Sequence, residues 1–232
     1  MGDRAPAPQK RAFYGRRKGH KLRRGQASLI AAALPKFALD LVHLAPADLR
    51  TLFNVPVDDV RLEIGFGGGE HLIHEAAGHT RIGHLGCEAY VNGMAKTLAA
   101  IEAAGLKNIR LHHGDALELL DWLPPQSLSR IDLLYPDPWP KKRHWKRRFV
   151  SDEMVGRIAR AVCPRGTLRF ATDWPGYAEW TLQHFLRAPA FAWTAERADD
   201  WRRPWAGFSG TRYERKAHAL GAKPVYLEFR RV

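Results

Sequence analysis

Pro136-Asp137-Pro138-Trp139-Pro140 places one carboxylate and one large aromatic side chain between three prolines. Asp137 and Trp139 each precede a proline, which disfavours helical backbone and predicts an extended conformation at both residues. A stiff loop of this kind suits a planar base that must be gripped at its edge and stacked on a ring. A purely structural proline-rich loop is the alternative, and it does not account for the carboxylate and the ring. The segment is therefore the candidate reacting half of an active site.

A basic segment, Lys141–Arg148 (KKRHWKRR), follows this loop without interruption and contains six Lys/Arg and no acid. Residues 1–25 contain nine Lys/Arg and the single acid Asp3. These two segments account for the whole net charge of +13, and the other 199 residues sum to −1. Such concentrated charge predicts a polyanionic partner, and nucleic acid is the leading candidate. An acidic membrane surface is the second alternative, but neither segment has an apolar face.

A glycine-rich turn, Gly65-Phe66-Gly67-Gly68-Gly69, ends an apolar stretch that contains Glu63. Glycines at a strand-to-helix turn let a ligand approach the backbone, so Gly65 and Gly67 are candidate cofactor-binding residues. Glu88 and Asp115 end the next two predicted strands, where acids could hold ribose hydroxyls and an adenine edge. Helix capping is the alternative for both acids.

A carboxylate inside an apolar strand needs a partner, and for Glu63 the methionine ammonium of S-adenosylmethionine is a natural one. A dinucleotide oxidoreductase would share the glycines and the first acid. The acid after the third strand favours S-adenosylmethionine over NAD.

The elements that position these residues alternate between strand-like and helix-like patterns. Predicted strands cover 60–65, 82–88, 108–115, 130–136, 166–173 and 224–230, the last as an edge strand. Helices are predicted from Gln26 to about Leu44 with an interruption near Pro35, over 90–104 before Gly105, and over 151–163. Ser151 would cap the third helix and Pro164-Arg165-Gly166 would end it. Strands spaced by such helices predict a Rossmann-like α/β domain over 26–232, preceded by a basic, flexible arm over 1–25.

Several other classes of protein are disfavoured. Cys87 and Cys163 are too few for a disulfide framework, which is typical of a reducing cytosol. The sequence contains no run of about 18 apolar residues, so a membrane span is not predicted. The N-terminus also lacks the apolar core of a signal peptide. The Arg-rich N-terminus leaves a transit peptide as a minor alternative. Four histidines between His71 and His84 have no companion cysteines, so no metal site is expected.

Four segments together resemble the bacterial tRNA (guanine-N7-)-methyltransferase family, from about residue 13 to the end of the chain. They are LEIGFGGGEHL (62–72), YPDPWPKKRHWKRR (135–148), FATDWPGYAEW (170–180) and TRYERKAHALG (211–221). The resemblance implies a mostly parallel seven-stranded sheet with helices on both faces, and methyl transfer from S-adenosylmethionine to N7 of guanine 46 in the tRNA variable loop. It implies a cytoplasmic enzyme whose partner is tRNA, as a monomer or homodimer.

The resemblance also implies residue roles. Glu63, Glu88, Asp115 and Asp137 would contact S-adenosylmethionine, with Asp137 also the catalytic residue. Lys141, Asp173, Thr211, Arg212, Tyr213 and Glu214 would contact substrate. Arg143, His144, Trp145, Lys146, Arg147 and Arg148 would touch RNA. From the residues alone, Asp173 could equally be a helix N-cap, and Thr211 to Glu214 fit a capping box.

Guanine N7 carries an unshared electron pair and no proton, so attack on a sulfonium methyl needs no nucleophilic side chain. We therefore expect catalysis by alignment, and whether Asp137 acts as a base or a positioning group stays open at this point. The alternatives are an exocyclic-amino nucleic-acid methyltransferase, whose Asp/Asn-Pro-Pro-aromatic loop is similar, and a nucleotide-binding RNA-binding protein without catalysis. The first alternative is weakened because only one proline, and not two, lies between Asp137 and Trp139.

Overall fold

The computed structural model describes residues 14–15, 17 and 19–232; the remainder of the predicted arm lies outside these described residues. Its centre is one seven-stranded sheet. The strands are β1 (Asp59–Ile64), β2 (Ile82–Cys87), β3 (Ile109–His112), β4 (Leu128–Leu134), β5 (Val162–Thr172), β6 (Phe191–Trp193) and β7 (Val225–Arg231). Their order is β3-β2-β1-β4-β5-β7-β6. The first five strands are parallel, and β7 is antiparallel to both β5 and β6.

Helices connect these strands. They are α1 (Arg24–Phe37), α2 (Glu70–Gly78), α3 (Val91–Ala104), α4 (Ala116–Trp122), α5 (Asp152–Ala161), α6 (Pro175–Arg187), α7 (Asp199–Arg202) and α8 (Arg212–Ala219). Short 3₁₀ helices cover Leu49–Leu52 and Lys142–Arg147. This arrangement confirms the predicted Rossmann-like fold with its mostly parallel seven-stranded sheet.

Three details of the prediction were wrong. β7 is an inner strand, because the three-residue β6 covers its outer side. α1 continues through Pro35 to Phe37, and it ends well before Leu44. α5 ends at Ala161 and the chain enters β5 directly at Val162.

Pro164-Arg165-Gly166 consequently lies inside β5 and not at a helix end. Arg165 there has φ +68°, and the pairing with β4 jumps from Leu128–Val162 to Arg130–Thr167. An interruption of this kind is where a proline is tolerated within a sheet.

Apolar side chains fill both faces of the sheet. On one face Leu72, Met94, Leu98 and Ile101 of α2 and α3 pack with Ala33 of α1. On the other face α4, α5 and α6 contribute residues such as Leu120, Ile158 and Phe185 to the larger cluster. With both faces covered, the open edge at the carboxyl ends of β1–β4 is where a ligand would bind in this topology. Among the described residues, no helix has the length and apolar character needed to cross a membrane.

Candidate active site

A cleft of about 450 Å³ opens at the carboxyl ends of β1 to β4, a size typical of small-ligand sites. Its lining includes Gly65, Gly67, Glu88, Asp115, Tyr135, Asp137, Trp139, Arg147, Arg212 and Tyr213. Predicted cofactor-binding and reacting residues thus share one cavity, although they come from distant parts of the chain. The predicted residues Glu63, Lys141, Asp173, Thr211 and Glu214 lie outside this lining.

The glycine-rich turn forms one wall of the cleft. Gly65 has φ +72° and Gly67 has φ +57°, backbone conformations that side chains other than glycine rarely adopt. A Cβ atom built on Gly65 would meet no other atom within 4 Å and would take up open space at the cleft wall. The turn therefore leaves room for a ligand to lie directly against the backbone.

Glu88 is fixed at the cleft by backbone donors. Its Oε2 accepts a hydrogen bond from the Gly67 N–H at 2.6 Å, and its Oε1 accepts one from the Tyr90 N–H at 2.8 Å. Burial raises the pKa of Glu88, while these N–H groups oppose the shift. Each carboxylate oxygen has a remaining lone pair, so the side chain could also accept ribose hydroxyls.

Asp115 caps a helix and also lines the cleft. Its Oδ1 accepts a hydrogen bond from the Leu117 N–H at 3.0 Å and so caps α4. The same residue lines the cleft. Capping orients the carboxylate and does not prevent its second oxygen from meeting a ligand.

Glu63 lies beneath the cleft, where its carboxylate contacts His71 of α2 instead of open space. His71 Nδ1 is 2.8 Å from Glu63 Oε2, and both side chains are buried. Burial raises the pKa of Glu63. Burial alone would lower the pKa of His71, but contact with Glu63 raises it. The pair therefore holds a proton tightly, and His71 is the partner that the buried carboxylate required.

Asp137 and Trp139 both line the cleft, and Asp137 is exposed there. Trp139 has φ +42°, so the expectation of an extended backbone at this residue was wrong. The left-handed conformation costs a non-glycine residue about 1–2 kcal/mol, so its ring must be held in place. Two contacts hold it: the Arg147 guanidinium lies 4.9 Å from the ring centre, and His144 meets it edge-on at 5.8 Å.

The basic segment divides into outward and inward residues because it winds into a 3₁₀ helix. Its exposed side chains are Lys141, Lys142, Arg143 and Lys146, while His144, Trp145 and Arg147 are half-buried. Arg147 lines the cleft, and its Nε is buried without a hydrogen-bond partner among the described residues.

Arg148 is buried, so its side chain does not reach a phosphate in this conformation, contrary to the predicted RNA contact. Its guanidinium lies 4.9, 5.0 and 5.1 Å from the ring centres of Trp145, Tyr177 and Trp180. Its Nε donates a hydrogen bond to the Pro138 carbonyl at 2.9 Å, inside the Asp137–Trp139 loop. Arg148 therefore fastens this loop to α6, and Trp145 forms part of that support.

The remaining predicted substrate residues occupy two environments. Lys141 and Asp173 are exposed, and the N-cap of α6 is Trp174, so Asp173 is not the cap. Thr211 and Glu214 are buried, whereas Arg212 and Tyr213 between them line the cleft.

Sequence reasoning missed several residues of the cleft. Tyr14 and Gly15 line it from the N-terminal segment, and the Tyr14 ring centre lies 5.3 Å from the Arg147 guanidinium. Tyr135, which also lines the cleft, has φ +51°. An aromatic residue within the basic arm was the available signal for Tyr14. Nothing in the sequence pattern indicated the conformation of Tyr135.

The cleft fits S-adenosylmethionine by its chemistry. Gly65 offers an open backbone wall, Glu88 and Asp115 offer acceptors, and apolar side chains such as Leu133 and Leu117 line the rest. No group of three or more His, Cys, Asp or Glu side chains is arranged to hold a metal ion in the part of the chain that the structure describes.

Solved structures share this fold. The 16S rRNA methyltransferase KamB is 20% identical with a TM-score of 0.57, and 82% of this chain aligns with 94% of KamB. The aminoglycoside resistance methyltransferase NpmB1 is 17% identical with a TM-score of 0.54, covering 82% of this chain and 96% of NpmB1. A family model described as "Putative methyltransferase" matches residues 58–227. The fold and this match define a Rossmann-like methyltransferase.

Curated relatives identify the family to which the chain belongs within this class of methyltransferases. A tRNA (guanine-N(7)-)-methyltransferase of Rhodopseudomonas palustris is 60% identical, over 95% of this chain and 86% of the relative. Another of that name, from Bradyrhizobium diazoefficiens, is 56% identical over the whole of both chains. The chain belongs to the tRNA (guanine-N(7)-)-methyltransferase family, which confirms the resemblance found in its motifs.

Proposed function

We propose that this enzyme transfers the methyl group of S-adenosylmethionine to N7 of guanine in tRNA, at position 46 of the variable loop. The observation that carries the proposal is the continuity of one cavity with one basic surface. Glu88 and Asp115 line the cleft after β2 and β3, Asp137 and Trp139 line it after β4, and the exposed residues of Lys141–Arg148 follow directly in the chain. Family membership supports the same reaction. Because the substrate is tRNA, we expect the enzyme to work in the cytoplasm.

S-adenosylmethionine supplies an electrophilic methyl group on its sulfonium. The glycine-rich turn and the acids Glu88 and Asp115 would hold the nucleoside part of this cofactor. Glu63 lies below the turn, and its pair with His71 would tie the start of α2 to β1 and so support the turn from beneath.

Asp137 would hold the guanine edge or the cofactor, since N7 has no proton to remove during attack. Trp139 offers a ring for stacking, and the Arg147 guanidinium behind it keeps that ring in one orientation. Catalysis would then come chiefly from alignment of N7, the methyl carbon and the sulfur. Asp137 is accordingly a positioning acid in this proposal and not a general base.

Lys141, Lys142, Arg143 and Lys146 would bind tRNA phosphates, because these side chains are exposed and no acid interrupts them. Arg212 and Tyr213 line the cleft beside the glycine-rich turn, where a Cβ atom built on Gly67 would lie 3.6 Å from the Tyr213 ring, and they would contact substrate from there. Asp173 is exposed beyond β5 and would contact substrate outside the cleft.

The test is to incubate undermodified tRNA with methyl-labelled S-adenosylmethionine and to identify the labelled nucleoside and its position. 7-Methylguanosine at position 46 is the expected product. A label on an exocyclic amino group would instead establish the alternative nucleic-acid methyltransferase, and absence of transfer together with tRNA binding would leave a non-catalytic RNA-binding protein.

A further inference from the structure

Buried hydrogen bonds of Thr211 and Glu214 hold the first turn of α8 in place. Thr211 Oγ1 accepts a hydrogen bond from the Glu214 N–H at 3.1 Å, which is half of the capping box expected from the sequence. The Glu214 carboxylate does not complete that box. Its Oε1 instead accepts a hydrogen bond from the hydroxyl of Tyr226 in β7. Thr211 and Glu214 are each only 7% exposed.

The second carboxylate oxygen of Glu214 is also directed away from the cleft. A Cβ atom built on Gly210 would lie 2.3 Å from Glu214 Oε2, so this oxygen packs against the backbone just before the helix. Arg212 and Tyr213, in the same turn, line the cleft, and Glu214 does not. The buried pair Thr211–Glu214 therefore supports the two residues of this turn that line the cleft.

Tyr226 is a fixed point beneath this turn. It is 2% exposed and is paired with Ala171 across the β5–β7 ladder. Trp205 and Phe208, from the segment leading into α8, meet its ring edge-on at 5.6 and 6.0 Å. A hydroxyl on a ring clamped in this way has little freedom, so it determines where the Glu214 carboxylate lies.

We propose that Tyr226 is a positioning residue, whose hydroxyl fixes Glu214 and thereby orients the first turn of α8 so that Arg212 and Tyr213 face the target guanine. The inference rests on the proposed function, and it assigns Glu214 an action through the helix start instead of direct contact with substrate.

The experiment uses the full chain with four single variants. Tyr226→Phe removes only the hydroxyl, and Glu214→Ala removes its acceptor. Glu214→Gln keeps an amide oxygen that can accept the Tyr226 hydrogen bond. Thr194→Val is the control, since it removes one hydroxyl hydrogen bond, to the Glu228 carbonyl at 3.0 Å, elsewhere along β7.

Two readouts are measured: the single-turnover rate at saturating tRNA and cofactor, and hydrogen–deuterium exchange of peptides covering residues 205–216. We expect Tyr226→Phe and Glu214→Ala to slow methyl transfer about tenfold, as loss of one hydrogen bond to a charged group would. Exchange at the start of α8 should rise in both, whereas dissociation constants for tRNA and S-adenosylmethionine stay within about twofold. Glu214→Gln, which keeps only a neutral acceptor, should fall between the wild type and Glu214→Ala, and Thr194→Val should match the wild type. The Tyr226→Phe/Glu214→Ala double variant should be no slower than Glu214→Ala.

Wild-type rate and wild-type exchange in Tyr226→Phe would overturn the proposal. So would a Glu214→Gln variant as slow as Glu214→Ala, because the carboxylate would then be needed for itself. The exchange measurement needs no tRNA. If the wild-type enzyme makes no 7-methylguanosine the proposed function fails, and exchange in Tyr226→Phe still tests the hydrogen bond.

Discussion

Replacing Lys141, Lys142, Arg143 and Lys146 together by glutamine should weaken tRNA binding in a salt-dependent way. All four side chains are exposed, three of them on the 3₁₀ helix Lys142–Arg147 and the fourth on its N-cap residue, Lys141. Each phosphate that a cation neutralises contributes about 0.7–0.9 to the slope of log affinity against log salt, so four contacts contribute roughly 3–4. Between about 50 and 200 mM salt, the affinity advantage of the wild type over the variant should therefore shrink roughly 100-fold.

Filter binding of undermodified tRNA over that salt range measures the slope directly. The matched variant is Arg148→Met, in the same basic segment, which should leave the slope unchanged because Arg148 is buried. It should instead slow single-turnover methyl transfer by about tenfold or more, since the Pro138 carbonyl loses its 2.9 Å donor. The assignment of the exposed residues to phosphate binding and of Arg148 to loop support would be refuted by either of two results. One is an unchanged slope of log affinity against log salt in the fourfold variant, and the other is a slope reduced by a full unit in Arg148→Met.

Three further predictions concern acids and a buried histidine. Asp137→Ala should lower turnover at least about 100-fold while tRNA affinity in filter binding stays near wild type; a normal rate would exclude Asp137 from the site. Because the pKa of Glu88 is raised, S-adenosylmethionine affinity measured by calorimetry should fall as the pH drops from 7 towards 5, and Glu88→Gln should be weak and lack that dependence. The pKa of His71 is raised by Glu63, so the stability from this pair is full below the ordinary value of 6.5 and is lost as pH rises through the raised value. Melting temperature should therefore fall less between pH 6 and 9 in His71→Gln than in the wild type. His84→Gln is the control, since burial lowers the pKa of His84 to about 3 and keeps it neutral throughout.

The sequence was sufficient to predict features that depend on repeating or local patterns along the chain. Apolar stretches ending in Gly65, Glu88 and Asp115 predicted three parallel strands whose ends meet, and those three residues do share one cleft. Ser151 was predicted as a cap, and its Oγ accepts the Met154 N–H at 3.3 Å. These features depend on local hydrogen bonding and on strand periodicity, which neighbouring residues determine.

Features set by distant partners were not predictable in this way. Arg148 is chemically the same as the exposed arginine at 143, and only the rings of Trp145, Tyr177 and Trp180 around it explain its burial. β6 has three residues, too few for a recognisable pattern, and it exists because β7 offers it a paired edge.

The conformation of Trp139 links the two predicted halves of the site more closely than their adjacency in sequence would suggest. A left-handed tryptophan before a proline is costly by itself, so an isolated copy of this loop would relax to extended backbone. Arg147 and Arg148 oppose that relaxation, one by covering the Trp139 ring and the other by binding the Pro138 carbonyl. Arg147 and Arg148, at the end of the basic segment, therefore shape the loop, whereas the exposed residues at the beginning of the segment would bind RNA. Removing all the charge at once would confound loss of RNA binding with collapse of the loop, which is why the fourfold variant must leave residues 147 and 148 intact.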